Sequence, residues 1–436
     1  MKVDEIRVFI PVGGIGTRLL PLTYNVSKPC IRLLNRPILE FGLSTLAEQG
    51  VRNFIFGANG KANFTNLFDQ YGEGVGFSAK YGIKSRVHIK YQPNIPDEGS
   101  ADSLRINMEY YDVEEPVFVA QGDNVFDVDL RNLMEYHLEK NAFLTIGLIE
   151  VEDTRQFGVA KLSGDMRIES FVEKPEPEET PSNLASTGIY LFSPKIGQVL
   201  KSQEINELME KNRKEGEKVT LDFGKHLIPY LVSNDFSVYG YSLDKFWSDV
   251  GTPKRYLDAM LDMLNGAIDI RITEEPSFPG RNIWIQGYSQ DSIIRRERII
   301  RSYKEGKLDL LGNILIGRHA RIEENTRIEN SNIDNFCILD EGVNVERSAV
   351  MDSSTIGEKC DIRDSIIGRY ATLESTREYP TKIDSYSVIG EGVIIKRGCR
   401  ISGSKIYPDL TIPPLTELYG KTIRTAHDIL EIIRRQ

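Results

Sequence analysis

The chain has little cysteine. There are four in 436 residues, Cys30, Cys337, Cys360 and Cys399, scattered and without a CxxC pair. That argues against a disulfide framework and a structural zinc site, and makes the cytoplasm the expected compartment. No apolar run approaches the roughly 20 residues a membrane helix needs. The first ten residues, MKVDEIRVFI, lack the charged, apolar and cleavage regions of a secretory signal, so no membrane partner is expected. Positive charge is also in deficit: 54 Lys and Arg face 64 Asp and Glu, a formal charge of −10. This argues against nucleic acid as the main partner and leaves room for a local basic site that binds a small anion. Histidine is scarce too. None of His88, His137, His226, His319 and His427 lies in a nucleophile-like setting.

The length predicts two domains. Residues 1–265 alternate short β-branched runs with helically spaced ones. IRVFIPV (6–12), NFIFGA (53–58), VHIKYQ (87–92), PVFVAQ (116–121) and LTIGLIEV (144–151) read as strands. PILEFGLSTLAEQG (37–50), EGSADSLRINMEYY (98–111) and DLRNLMEYHLEKN (129–141) read as helices. The alternation predicts an α/β fold, a Rossmann-like domain with a mostly parallel sheet. Such sheets bind ligands at the carboxyl ends of their strands.

From residue 314 to 422 the pattern changes. Aliphatic residues recur at Ile316, Ile322, Ile328, Ile333, Leu339, Val345, Val350, Ile356, Ile362, Ile367 and Leu373, with gaps cycling 6, 6, 5. Three sides make a 17-residue coil, so the segment is expected to be a parallel β-helix with triangular coils and one inward aliphatic per side. Ile389, Ile395, Ile401, Ile406 and Ile412 resume the register after 22 residues, one coil plus an insertion of five, placed in ESTREYP (374–380). Gly317, Gly357, Gly368 and Gly390 follow inward aliphatics, which suggests sharp corners. Residues 266–313 read as a linker or bracing segment, and 423–436 as a short C-terminal amphipathic helix.

The first strand runs into PVGGIGTRLLPLTYNVSKP, residues 11–29. A dinucleotide fingerprint needs GxGxxG, but Leu19 fills the third position. A P-loop needs GxxxxGK[ST], but Thr17–Arg18 follow Gly16. Pro21 and Pro29 oppose a helix. The stretch reads as an irregular anion loop, with Gly13, Gly14 and Gly16 opening backbone N–H groups and Arg18 and Lys28 within reach.

GGIGTRLLPLTYNVSKP resembles the signature loop of the sugar-1-phosphate nucleotidylyltransferases, or NDP-sugar pyrophosphorylases. Ser27 replaces the proline that precedes the family's lysine, which implies a slightly different setting of the loop. The resemblance spans the chain, since larger members carry a left-handed β-helix after the catalytic domain. It implies that a nucleoside triphosphate and a sugar 1-phosphate are bound, with Gly13, Gly14, Gly16, Thr17 and Arg18 on the nucleotide. QPNIPDEGSADSLR (92–105) resembles the base-reading segment and implies roles for Gln92, Gly99 and Ser100. Asp123 of VAQGDN and Asp249 of WSDVGT match the two metal aspartates, which implies Mg²⁺, with Asp123 also beside the nucleotide. FGVAKL, FVEKPEP and NLASTGIYLF imply sugar-phosphate contacts from Gly158, Glu173, Lys174, Ser186 and Thr187. Asp222 of LDFGKHLIP is either a sugar contact or the N-cap of the helix it precedes. A homo-oligomer assembled through the β-helix is also implied.

In the implied reaction a sugar-phosphate oxygen attacks the α-phosphate and pyrophosphate leaves. That oxygen is anionic near neutral pH, so no general base is required. Arg18, Lys28 and Lys174 are the expected catalytic groups, because the difficulty is charge neutralisation and alignment. GSADSLR, ASTGIYLF and DFGKHLIP lean toward glucose-1-phosphate adenylyltransferases. Other stretches lean toward uridylyl, thymidylyl or mannose guanylyl members. Two further alternatives are a bifunctional acyltransferase, disfavoured because His319 is the sole histidine among the repeats, and a non-catalytic regulatory subunit, disfavoured because the loop cations and aspartates are retained.

Overall fold

The computed structural model describes residues 2–14, 16–269 and 275–433, apart from the side chains of Ile432 and Ile433. Ile15 of the loop, 270–274 of the expected linker and 434–436 of the expected helix lie outside the described residues. Two compact units emerge, and neither is continuous in sequence. One comprises Met1–Gly14 and Ile38–Asp249; the other comprises Ile15–Pro37 and Val250–Gln436.

The first unit is built on a nine-stranded sheet. Its strands are β1 (Arg7–Val12), β2 (Asn53–Ala58), β3 (His88–Tyr91), β4 (Val117–Val119), β6 (Leu144–Glu150), β7 (Gly158–Leu162), β8 (Ile168–Glu173), β9 (Leu184–Phe192) and β10 (Val238–Ser242). A separate two-stranded ladder pairs β5 (Asn124–Phe126) with β11 (Trp247–Asp249). β4, β1, β2 and β3 lie side by side and parallel. β9 joins β4 antiparallel and also pairs antiparallel with β6 and β7. β1 is buried from Val8 to Val12, as expected of a continuous apolar run in a covered parallel sheet. Helices α1 (Leu39–Glu48), α2 (Lys61–Tyr71), α3 (Ser100–Tyr110) and α4 (Leu130–Glu139) follow the early strands. Asp129 caps α4 by accepting from the Asn132 N–H. Phe9, Ile55, Leu104, Val119, Tyr190 and Phe223 belong to one core cluster.

The second unit is a parallel β-helix with three sheets of eight, seven and six strands. Its registers repeat the sequence period: Ile316 pairs with Ile333, Ile333 with Val350 and Val350 with Ile367. The insertion is divided. Ile362 pairs with Ile383, 21 residues on, and Ile367 with Ile389, 22 residues on. Four extra residues therefore lie before Ile383 and the fifth lies between Ile383 and Ile389, where Ser385 and Tyr386 both have positive φ. The glycines after the inward aliphatics are not corners. The left-handed corners fall two residues later, at His319, Lys359, Tyr370 and Gly392. Those glycines are needed because the next coil is too close. A Cβ on Gly317 would lie 2.5 Å from the Asn335 nitrogen, and one on Gly368 2.7 Å from the Ile389 carbonyl oxygen. Ile283–Ile285 pairs with the first sheet, and Ile299 and Ile300 of α5 (Gln290–Lys304) join the same core. Ile429 of the final helix, α6 (Ala426–Ile433), closes that core at the last coil.

Candidate active site

In the first unit, four adjacent parallel strands deliver their carboxyl ends to one edge of the sheet. Gly13 and Gly14 follow β1, Asn59 follows β2, Gln92 follows β3, and Asp123 follows β4 by four residues. A pocket of about 500 Å³ lies there, lined by Ala58–Lys61, Phe64, Thr65 and Gln92–Pro96. Gln92 is buried and engaged at both ends of its amide. Its NH₂ donates to the Ile95 carbonyl (3.0 Å) and to Asp97 Oδ2 (2.9 Å). Its oxygen accepts from the Ser103 hydroxyl and from Asn107 Nδ2. Asp97, which the sequence reading did not single out, also accepts from Asn59 and from the Gly99 N–H. Burial holds its carboxyl above the usual range, against the opposing pull of these hydrogen bonds.

Gly99 precedes α3 with φ 141°, and a Cβ there would strike the Leu221 carbonyl. The N–H groups of Ala101 and Asp102 donate to that same carbonyl at 3.1 and 3.2 Å. The first turn of α3 is thus closed by protein. Ser100 donates to Asp222 Oδ2 (2.7 Å). The other oxygen of Asp222 accepts from the Gly224 and Lys225 N–H groups, so the carboxylate caps the π-helical turn Phe223–Leu227. Inserted π turns often mark functional sites.

The small ladder sets one metal-ligand candidate opposite the chain neighbour of the other. Asp249 ends β11 opposite Asn124, the residue after Asp123. The Thr187 carbonyl accepts from Asn124 Nδ2 (2.8 Å) and from Trp247 Nε1 (3.0 Å), which ties both strands of the ladder to β9. Thr187 Oγ1 in turn donates to the Gly147 carbonyl, and Ser186 Oγ lies 3.3 Å from the Tyr190 hydroxyl. Asn124 and Trp247 flank the aspartates already singled out in VAQGDN and WSDVGT; their amide and indole groups were the available signal.

On the far side of the sheet Glu173 ends β8 opposite Gly158. A Cβ on Gly158 would lie 2.9 Å from its Oε2, and one on Gly224 would collide with the same oxygen. The carboxylate therefore occupies a cleft that only glycines leave open. Lys174 follows with φ 50° and pairs with Glu173 at 2.7 Å. A lysine held in the left-handed region is strained, and such strain concentrates at functional sites.

In the second unit, Gly16 accepts from the Thr23 hydroxyl (2.9 Å). Thr17 and Arg18 lie in the 3-10 turn Thr17–Leu19, with both side chains exposed, and Lys28 opens a second such turn and is buried.

A donor pair made of Asp249, at the end of β11, and Asp123, in the turn that leads into β5, would suit a hard cation that prefers oxygen and keeps positions for phosphate. Among the described residues no group of three or more His, Cys, Asp and Glu forms a metal cluster. Two carboxylates fit a Mg²⁺ that would be held jointly with a phosphate-bearing substrate.

The nucleotidyl transferase family model matches residues 8–266, more than half the chain, and the GMPPB C-terminal domain model matches 310–417. The chain belongs to the nucleotidyl transferase family and is an enzyme of the nucleotidyltransferase class. The glucose-1-phosphate adenylyltransferase of Bacillus subtilis is 28% identical over 71% of this chain and 82% of its own length. That of Bacillus anthracis is 26% identical over 82% of this chain and 93% of its own length. A solved structure from Bacillus anthracis, described as a glucose-1-phosphate thymidylyltransferase in complex with a sucrose, has a TM-score of 0.50 at 23% identity and covers 62% of this chain and 98% of its own. That likeness concerns the fold. Among the described residues, no helix is long and apolar enough to cross a membrane.

Proposed function

We propose that the protein transfers a nucleotidyl group from a nucleoside triphosphate to a sugar 1-phosphate, with ATP and glucose 1-phosphate as the favoured pair. The observation that carries the reading is the ladder that sets Asp249 opposite the neighbour of Asp123. Two aspartates 126 positions apart in sequence acquire a common address through this pairing, as a phosphate-bridging cation requires. The relatives named adenylyltransferases support the choice of base and sugar.

The chemistry follows from the groups in hand. A phosphate oxygen of the sugar 1-phosphate forms a bond to the α-phosphorus as the bond from that phosphorus to the bridging oxygen breaks, and pyrophosphate departs with the electron pair. Mg²⁺, when bound by Asp123 and Asp249, would supply charge neutralisation at the phosphates. Lys174 orients the sugar phosphate, and Glu173 takes sugar hydroxyls. Arg18 balances the departing pyrophosphate and Lys28 the α-phosphate. Gln92 and the pocket beside it receive the base. Positioning and electrostatics carry the rate, with no proton abstraction. Assembly into a homo-oligomer through the β-helix and a cytoplasmic location complete the proposal.

Pyrophosphate release measured with ATP, UTP, dTTP and GTP against glucose 1-phosphate and mannose 1-phosphate tests it. ATP with glucose 1-phosphate is expected to give the highest kcat/KM. Absence of pyrophosphate with every pair overturns the reaction; a different best pair overturns the substrates.

A further inference from the structure

Within the second unit, the signature loop rests on the β-helix through polar contacts that bridge about three hundred residues of sequence. Residues 16–37 make little regular structure of their own: two 3-10 turns and a hairpin of two-residue strands, Arg32–Leu33 and Arg36–Pro37. Leu34 and Asn35, at the hairpin tip, both have positive φ. A segment with so few internal ladder bonds takes its position from whatever it is docked against.

The docking is specific. Arg32 Nη2 donates to Asp334 Oδ1 at 2.7 Å while its Nε donates to Oδ2, a two-pronged pairing. The Asp334 side chain is only 2% exposed. It follows the inward Ile333 on the first β-helix sheet, and its backbone N–H donates to Val350 in the next coil. Arg32 Nη2 also donates to the Asn35 carbonyl (2.6 Å), which braces the hairpin tip. Asn35 bonds Gln286 and Asn332, and the buried Tyr256 donates its hydroxyl to the Arg32 carbonyl at 2.6 Å. Nearer the start of the loop, Lys405 donates to the Arg18 carbonyl (3.4 Å) and Tyr24 meets Tyr407 edge-on at 5.5 Å. Lys28 is separated from Arg32 by a single 3-10 turn and the buried Ile31.

We propose that the Arg32–Asp334 pair is a positioning contact by which the β-helix sets the nucleotide-binding loop, and so sets the enzyme's affinity for the nucleoside triphosphate. The inference rests on the nucleotidyl-transfer reading. An exposed ion pair would do little. Here the carboxylate is withdrawn from water and held on a rigid ladder, and the guanidinium fork fixes direction as well as distance. Neither residue touches a reacting group; both act through Lys28 and Arg18. The β-helix then has a part in catalysis that its core alone does not reveal.

Steady-state kinetics on Arg32→Lys, Arg32→Gln, Asp334→Asn and the Gln/Asn double variant test the proposal. The expected result is a rise of about tenfold in KM for the triphosphate, the scale of one charge-assisted hydrogen-bond pair. KM for the sugar 1-phosphate should move less than twofold, and the double variant should be no worse than the worse single one. Hydrogen exchange should rise in residues 16–37 while the β-helix strands stay protected. Arg32→Lys keeps the charge and leaves Asp334 ion-paired, so it serves if Asp334→Asn does not fold. An unchanged triphosphate KM in folded variants, or an equal rise in both KM values, overturns the inference alone. A wild-type protein that releases no pyrophosphate overturns it together with the reading beneath it.

Discussion

At the scale of single residues, the site is a set of charges whose neighbours decide what they can do. Asp123→Asn keeps the shape but turns one acceptor oxygen into an amide donor and removes the charge of one of the two candidate metal carboxylates. Turnover should fall at least a hundredfold at saturating Mg²⁺ with the unfolding temperature unchanged, measured by pyrophosphate release and calorimetry. His137 has a different consequence. It is buried on α4 beside Thr145, and burial pushes its pKa down from 6.5 to about 4. The folded state therefore holds it neutral while the unfolded chain protonates it. Its stability contribution is complete above pH 6.5, shrinks as the pH falls toward 4, and is level below that. The full loss is about 3 kcal/mol. Thermal unfolding of His137→Gln across this range should be less steeply pH-dependent than that of the wild type; parallel curves would refute the assignment.

At the scale of elements, short turns between strong strands do most of the positioning. The clearest case is the junction of Gly99 with α3, where the Leu221 carbonyl closes the first helical turn and Ser100 reaches Asp222. Gly99→Ala puts a side chain at φ 141° and against that carbonyl. A loss of about 1–3 kcal/mol is expected, with kcat/KM reduced through both the base pocket and the Asp222 turn. Chemical denaturation and kinetics on the purified variant check it. The elements themselves were readable. NFIFGA forms a strand over its whole predicted length, and helices appear in each of the three predicted windows. The β-helix register was readable to the residue, because each coil repeats the same burial problem. The fine placement of the insertion was not, since the polar loop hides where Ile383 re-enters the aliphatic series.

At the scale of the whole molecule, the two compact units exchange chain. Residues 16–37 group with the coils and not with the sheet that precedes them in sequence. In the proposed reaction Mg²⁺ would enter as a partner of the substrate phosphates, held by Asp123 and Asp249. Chelation should accordingly abolish turnover, with recovery on adding Mg²⁺, while the unfolding temperature stays within about 2 °C. A large drop in that temperature would point to a structural ion instead.

Local sequence was enough for what depends on local rules. The glycine-rich loop excludes a dinucleotide fingerprint by one leucine, the aliphatic period dictates a triangular coil, and the aspartates stand out by their motifs. Tertiary structure alone settled which distant groups meet. Asp249 faces Asn124 because two short strands complete each other's hydrogen bonds, and Glu173 sits in its cleft because Gly158 and Gly224 converge on it. Arg32 finds Asp334 because a buried carboxylate needs a cation, and only folding decides which cation is at hand.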